Sequence, residues 1–117
     1  MTDTNRAVEL VFGASGYIGS NLVPFLLGKG RRVRAAARNV AVIEARGWPD
    51  VEIVQANALD PATLERALQG VDTAYYLVHS MAAGPQFPEL DRAAARNFRS
   101  AAADCGVQRI IYLGGLT

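Results

Sequence analysis

The chain has one cysteine, one lysine and one histidine among its 117 residues, and no apolar run near the ~18 residues a membrane span needs. The lone Cys105 excludes an internal disulfide and any multi-cysteine metal site, which suits a reducing compartment. Charge of either sign is sparse as a surplus: the net is +1 with one-fifth of residues charged, so neither disorder nor a general grip on nucleic acid is expected. The start, "MTDTNR", has no basic-then-apolar profile of a secretion signal, and the expected compartment is cytoplasmic. Half the residues are hydrophobic, enough for one cored domain spanning 1–117.

What the chain does have is alternation. Runs rich in Val, Ile and Tyr at 8–12, 32–37, 51–56, 73–78 and 109–114 read as buried strands. Helical spacing separates them: Ile18, Leu22, Phe25 and Leu26 share a face, then Leu64, Ala67 and Leu68, then Leu90, Ala94, Phe98, Ala101 and Cys105. A short helical segment is expected near 40–46 and the longest at 87–105. Asp60 and Pro61 predict a helix start, Gly70 its stop, and Pro24 a kink in the first helix. Such alternation implies an open parallel α/β sheet with right-handed crossovers and helices on both faces. Residues 80–88 read as a loop. Arg92, Arg96 and Arg99 stripe the polar face of the long helix and read as solvated.

The stretch "LVFGASGYIGSNL" places Gly13, Gly16 and Gly19 between the first strand and the first helix. In a parallel α/β sheet this turn is the usual phosphate site. Gly13 can make the bend, Gly16 can admit a pyrophosphate to the main chain, and Gly19 can let helix and strand pack closely. The free N–H groups and positive end of the helix then face the anion. The competing reading is that the glycines only close the corner.

"GASGYIG" resembles the cofactor loop of extended and atypical short-chain dehydrogenases/reductases. The likeness continues through "VRAAARN", "DPATLERALQGVDTAYYLVHSM" and "DRAAARNFRSAAADCGVQRIIYLGGL", with the NmrA-like and epimerase-like subgroup nearest. It implies a doubly wound Rossmann-type sheet of about five strands in order 3-2-1-4-5, and a dinucleotide partner held by Gly13, Ser15, Gly16, Tyr17, Ile18 and Gly19. An acid about 20 residues past the fingerprint selects NAD, and an Arg accommodates NADP. Here Arg38, followed by Asn39, ends the second strand, so NADP(H) is expected over NAD(H). A solvated arginine is the alternative, and Arg34 reads as structural. Relatives carry an Asp after the third strand toward adenine; Asn57, with Ala58 beside it, stands there and can equally be a plain turn asparagine. Val78, His79 and Ser80 match ribose and nicotinamide contacts, although a single histidine there also suits loop hydrogen bonding.

Chemistry is thinner. The family's reductases pair a Tyr with a Lys four residues on, but Tyr17, Tyr75, Tyr76 and Tyr112 are followed at that spacing by Asn21, His79, Ser80 and Leu116. No catalytic residue is assigned and no metal is expected. The resemblance thus implies a cofactor-binding half without its substrate lobe. Strands four and five should present an apolar surface and a free edge to a second copy or to a C-terminal half. Three functions stay open: a binding domain inactive alone, part of an oxidoreductase or epimerase acting on a small carbonyl or sugar-like substrate, and a non-catalytic NADP-sensing module.

Overall fold

The structure, a computed structural model, describes residues 7–77 and 87–112. The first strand, β1 (Val8–Phe12), is buried along its whole length, as the centre of a two-faced sheet requires. Around it lie β2 (Arg32–Ala37), β3 (Glu52–Gln55), β4 (Val71–Tyr76) and β5 (Arg109–Tyr112), all parallel, in the order β3-β2-β1-β4-β5. This is the expected doubly wound topology. Two strands shift: β3 is trimmed by a residue at each end, and β4 begins at Val71, two residues early, because Gly70 (φ 74°) delivers the chain straight from the preceding helix. β4 ends at Tyr76, leaving the expected Leu77 just outside the strand, and the expected positions 78 and 113–114 lie outside the described residues.

Side chains alternate between two cores. On one face Val11, Val33, Ala35 and Ala37 meet Val23 and Leu26 of α1 (Tyr17–Gly28) and Ile43 of α2 (Val40–Glu44). On the other, Leu10, Phe12, Ala36, Ala74 and Tyr76 meet Leu64, Ala67 and Leu68 of α3 (Pro61–Leu68) and Ala94, Phe98, Ala101 and Ala102 of α4 (Phe87–Asp104). Phe98 closes this core between Phe12 and Tyr76, at ring separations of 5.1 and 4.7 Å, and Tyr112 meets Tyr76 edge-on at 5.6 Å. Cys105 completes the apolar stripe of α4, half-buried just beyond its end.

The first helix corrects the sequence expectation. Gly19, Val23 and Leu26 face the sheet, whereas Ile18 and Phe25 are 43% and 58% exposed. The reason is Gly19: lacking a side chain, it lets the helix turn its glycine face, rather than its bulkiest one, toward the strand. The helix continues through Pro24, whose ring lies on the exposed side.

One buried charge binds the α3 side together. Arg34 of β2 donates through Nε to Glu52 Oε1 at 3.0 Å and through Nη1 to the carbonyls of Ala67 (2.5 Å) and Gln69 (2.8 Å). It thus satisfies carbonyls that the end of α3 would otherwise orphan. On the opposite face Glu9 accepts from Arg31 and, at 3.0 Å, from the Tyr75 hydroxyl. Its hydrogen bond raises the Arg31 guanidinium pKa, and burial followed by that same carboxylate raises the pKa of Tyr75.

Candidate functional site

The carboxyl ends of the strands form one rim of the sheet, and the turn after β1 lies at its middle. Gly13 adopts φ 97°, a left-handed value that a side chain disfavours. The bend is pinned from β2, because the N–H groups of Gly13 and Ala14 both donate to the Ala36 carbonyl, at 2.9 and 3.1 Å. Gly19 is required by space alone: a Cβ there would stand 2.6 Å from Ala14 Cα and 2.8 Å from the Gly13 oxygen. Helix and turn touch backbone to backbone.

Gly16 is different. Its φ of −84° is open to any residue, and a Cβ would meet only the Gly13 oxygen at 3.7 Å, an ordinary contact. Nothing among the described residues explains the missing side chain. Gly16 is also the N-cap of α1, and no side chain caps it. The first bond into the helix is from Ser20 N to Gly16 O, so the N–H groups of Tyr17, Ile18 and Gly19 find no acceptor among the described residues. Ser15 lies half-buried in the turn, and Tyr17 is 84% exposed. Bare amides, an uncapped helix start and a cleared backbone together fit a diphosphate.

On the β2 side of this turn, Arg38 follows the strand directly, exposed and without a hydrogen-bond or ion-pair partner among the described residues. Asn39 is engaged locally, since its Oδ1 accepts from Ala41 N at 3.1 Å and caps α2. Further along, the turn after β3 is locked internally. The Asn57 side-chain oxygen accepts from Leu59 N at 2.9 Å, while the Thr63 hydroxyl accepts from Asn57 N and faces the carbonyls of Asn57 and Asp60. Asn57 is therefore a turn asparagine whose carbonyl is engaged and whose amide group faces no acceptor among the described residues. Ala58 is buried, and its carbonyl accepts from Asn97 Nδ2 of α4 at 2.9 Å. Sequence reading missed Asn97 and Thr63. The only signal for Asn97 was a polar residue set beside the apolar stripe of Ala94, Phe98 and Ala101.

Arg38, Asn39, Asn57 and Ala58 thus join the glycine turn on one rim. Val78, His79 and Ser80 lie outside the described residues. Arg34, on the other hand, is committed to α3, in accord with its structural reading.

The family profile described as NAD(P)H-binding matches residues 13–117, from the first glycine of the turn onward. The chain belongs to this NAD(P)H-binding family. Cinnamoyl-CoA reductase 1 of Oryza sativa subsp. japonica is 32% identical over 114 residues, covering 92% of this chain and 34% of the relative. The triphenylmethane reductase of Citrobacter sp. superposes with a TM-score of 0.78 at 28% identity, over 92% of this chain and 37% of that one. Its complex with NADP(H) superposes at 0.76 with 24% identity, over 90% and 36%, a likeness of fold. A short-chain dehydrogenase/reductase superfamily protein from Agrobacterium tumefaciens, with bound NAD, gives a TM-score of 0.70 at 26% identity, over 90% and 31%. The chain is thus an NAD(P)H-binding domain of Rossmann type, similar to a protein of the short-chain dehydrogenase/reductase superfamily. It spans about a third of the length of the curated relatives it matches. No helix among the described residues is long and apolar enough to cross a membrane, and no group of His, Cys, Asp or Glu among them could hold a metal ion.

Proposed function

We propose that this domain binds NADP(H) in preference to NAD(H) and supplies binding rather than acid–base chemistry. The observation that carries the reading is Gly16, cleared of a side chain for no reason found among the described residues and set beside uncapped helix amides. The backbone at Gly16 and the amides of Tyr17 and Ile18 would hold the diphosphate. Arg38, free of partners among the described residues, would offer a planar fork to a 2′-phosphate, and the Asn57–Ala58 turn would receive the base. With the Asn57 oxygen held by Leu59 N, that side chain meets the base as a donor. Val78, His79 and Ser80 serve the nicotinamide side. Bound, the coenzyme would supply hydride transfer; this chain's residues grip and orient it. Relatives holding NAD and relatives holding NADP(H) share the fold, so the selector is local.

The reductases among the relatives support a place for this domain within an oxidoreductase or epimerase acting on a carbonyl or sugar-like substrate, with an NADP-sensing module as the second reading. Turnover across a carbonyl panel favours the first, and binding without turnover the second.

A specific feature supports an apolar docking face. On the α1 side, α1 lies over β1 and β2 and α2 over β2 and β3, so Tyr75 and Ile111, paired across β4 and β5, have no helix of their own above them among the described residues. Right-handed crossovers turn the Ile18, Leu22 and Phe25 flank of α1 toward that same region. Floor and wall suit a further helix, from a second copy or from a C-terminal half. Titration of NADPH and NADH during sedimentation tests both readings. NADPH is expected to bind more tightly, with a species larger than the monomer; absent or equal binding overturns the cofactor reading, and a strict monomer removes the second copy.

A further inference from the structure

We infer that Asn97, on α4 and outside the glycine turn, is a positioning residue for the adenine end of the cofactor groove. The inference rests on the dinucleotide reading above and assigns a part of the groove's precision to a residue that does not line it.

The turn after β3 must hold its place on the rim if a base is to seat there. Within itself it is well tied, by the Asn57 side chain to Leu59 N and by Thr63 to the Asn57 and Asp60 backbone. Its link to the strands is the bond from Ala56 N to the Ala37 oxygen at 3.0 Å. Beyond Ala56 and the adjoining first turn of α3, where Thr63 sits, the only hydrogen bond from a more distant element that reaches residues 57–60 among the described residues is Asn97 Nδ2 to Ala58 O, at 2.9 Å, across 39 positions of chain. The Ala58 methyl is buried in the core that Ala94, Phe98 and Ala101 build, so packing sets the depth of the turn and the Asn97 bond sets its rotation. Phe98, the neighbour of Asn97, is fully buried between Phe12 and Tyr76, which fixes where α4 presents the amide. An amide on a rigid helix that orients a binding turn is the arrangement a preorganised site requires.

The geometry makes the effect one-sided. The Asn97 bond acts on the β3 end of the rim, while the diphosphate turn is held independently by Ala36 O. Loss of the bond should therefore weaken adenosine-side ligands and spare the nicotinamide side.

The test compares the wild-type protein with Asn97→Asp, which keeps shape and removes the donor, and Asn97→Ala, each checked by circular dichroism. The probes are adenosine 2′,5′-bisphosphate and reduced nicotinamide mononucleotide, titrated separately. The expected result is affinity for the bisphosphate lower by on the order of 3- to 10-fold, the range one hydrogen bond spans, with the mononucleotide unchanged. Equal losses for both probes, or none, overturn the inference while leaving the cofactor reading intact. Wild-type protein that binds neither probe overturns both. A measurement free of any variant runs alongside: the Asn97 side-chain NH2 resonances of wild-type protein should move on saturation with the bisphosphate and stay put with the mononucleotide, and the reverse contradicts the inference.

Discussion

Gly19 and Ala14 are packed so closely that a Cβ on the glycine would stand 2.6 Å from the alanine Cα. The obstacle is backbone on both sides, so nothing flexible can give way. Gly19→Ala should destabilise the fold by about 2–3 kcal/mol, the upper part of the overpacking range, as read by urea unfolding. A change under ~0.5 kcal/mol, within the scatter of surface substitutions, would show that the helix can lift off the strand freely.

Arg38 has no partner among the described residues, so its removal should cost the fold little and the ligand much. For Arg38→Ala, NADPH affinity is expected to fall about 10- to 100-fold, the worth of a charge-assisted contact, while NADH affinity changes less than about 2-fold. Equal effects on the two coenzymes would remove the arginine from the selection.

Much of this was legible in the chain. The bend at Gly13 and the close packing at Gly19 were carried by their spacing, and the alternation of strand and helix leaves few parallel topologies once crossovers are right-handed. What stayed hidden depends on distance through space. Helical periodicity gave Ile18 and Phe25 the buried side of α1, since it counts apolar residues and cannot weigh the closeness that a glycine permits. Asn97 was marked only as a polar residue beside an apolar stripe, and its role stayed hidden because its partner Ala58 lies 39 positions away and offers only a backbone oxygen. The Asn57 alternatives were likewise a question of hydrogen bonding, and the Leu59 amide answered it for the oxygen.

Arg34 is the buried brace of the α3 side, and its three acceptors make it separable from the cofactor groove. Arg34→Ala leaves the Ala67 and Gln69 carbonyls without their donor and should cost about 2–4 kcal/mol in chemical unfolding. NADPH affinity of the remaining folded protein should be unchanged; a selective loss of NADPH binding would reassign this residue to the groove.

Tyr76 gives the fold an alkaline limit. Burial first, then the nearby Asp91 and Tyr112, push its hydroxyl from the ordinary 10.0 up to about 12. A phenol whose folded pKa is raised holds its proton more tightly in the fold than in the unfolded chain. The resulting stability is complete below pH 10 and is lost as the pH climbs toward 12. Unfolding midpoints should therefore drop across that window, and Tyr76→Phe should flatten the drop; an equally steep decline in the variant would place the titration elsewhere.

Gly16 is the residue on which the cofactor reading turns, because its missing side chain serves no contact among the described residues. The direct measurement is Gly16→Ala, followed by thermal unfolding and by NADPH titration. The predicted outcome is a melting temperature held or slightly raised, since alanine fits the observed backbone and restricts the unfolded chain, together with NADPH affinity lower by on the order of tenfold or more. A folded variant that binds NADPH as tightly as the parent would contradict the claim that this backbone is cleared for a diphosphate.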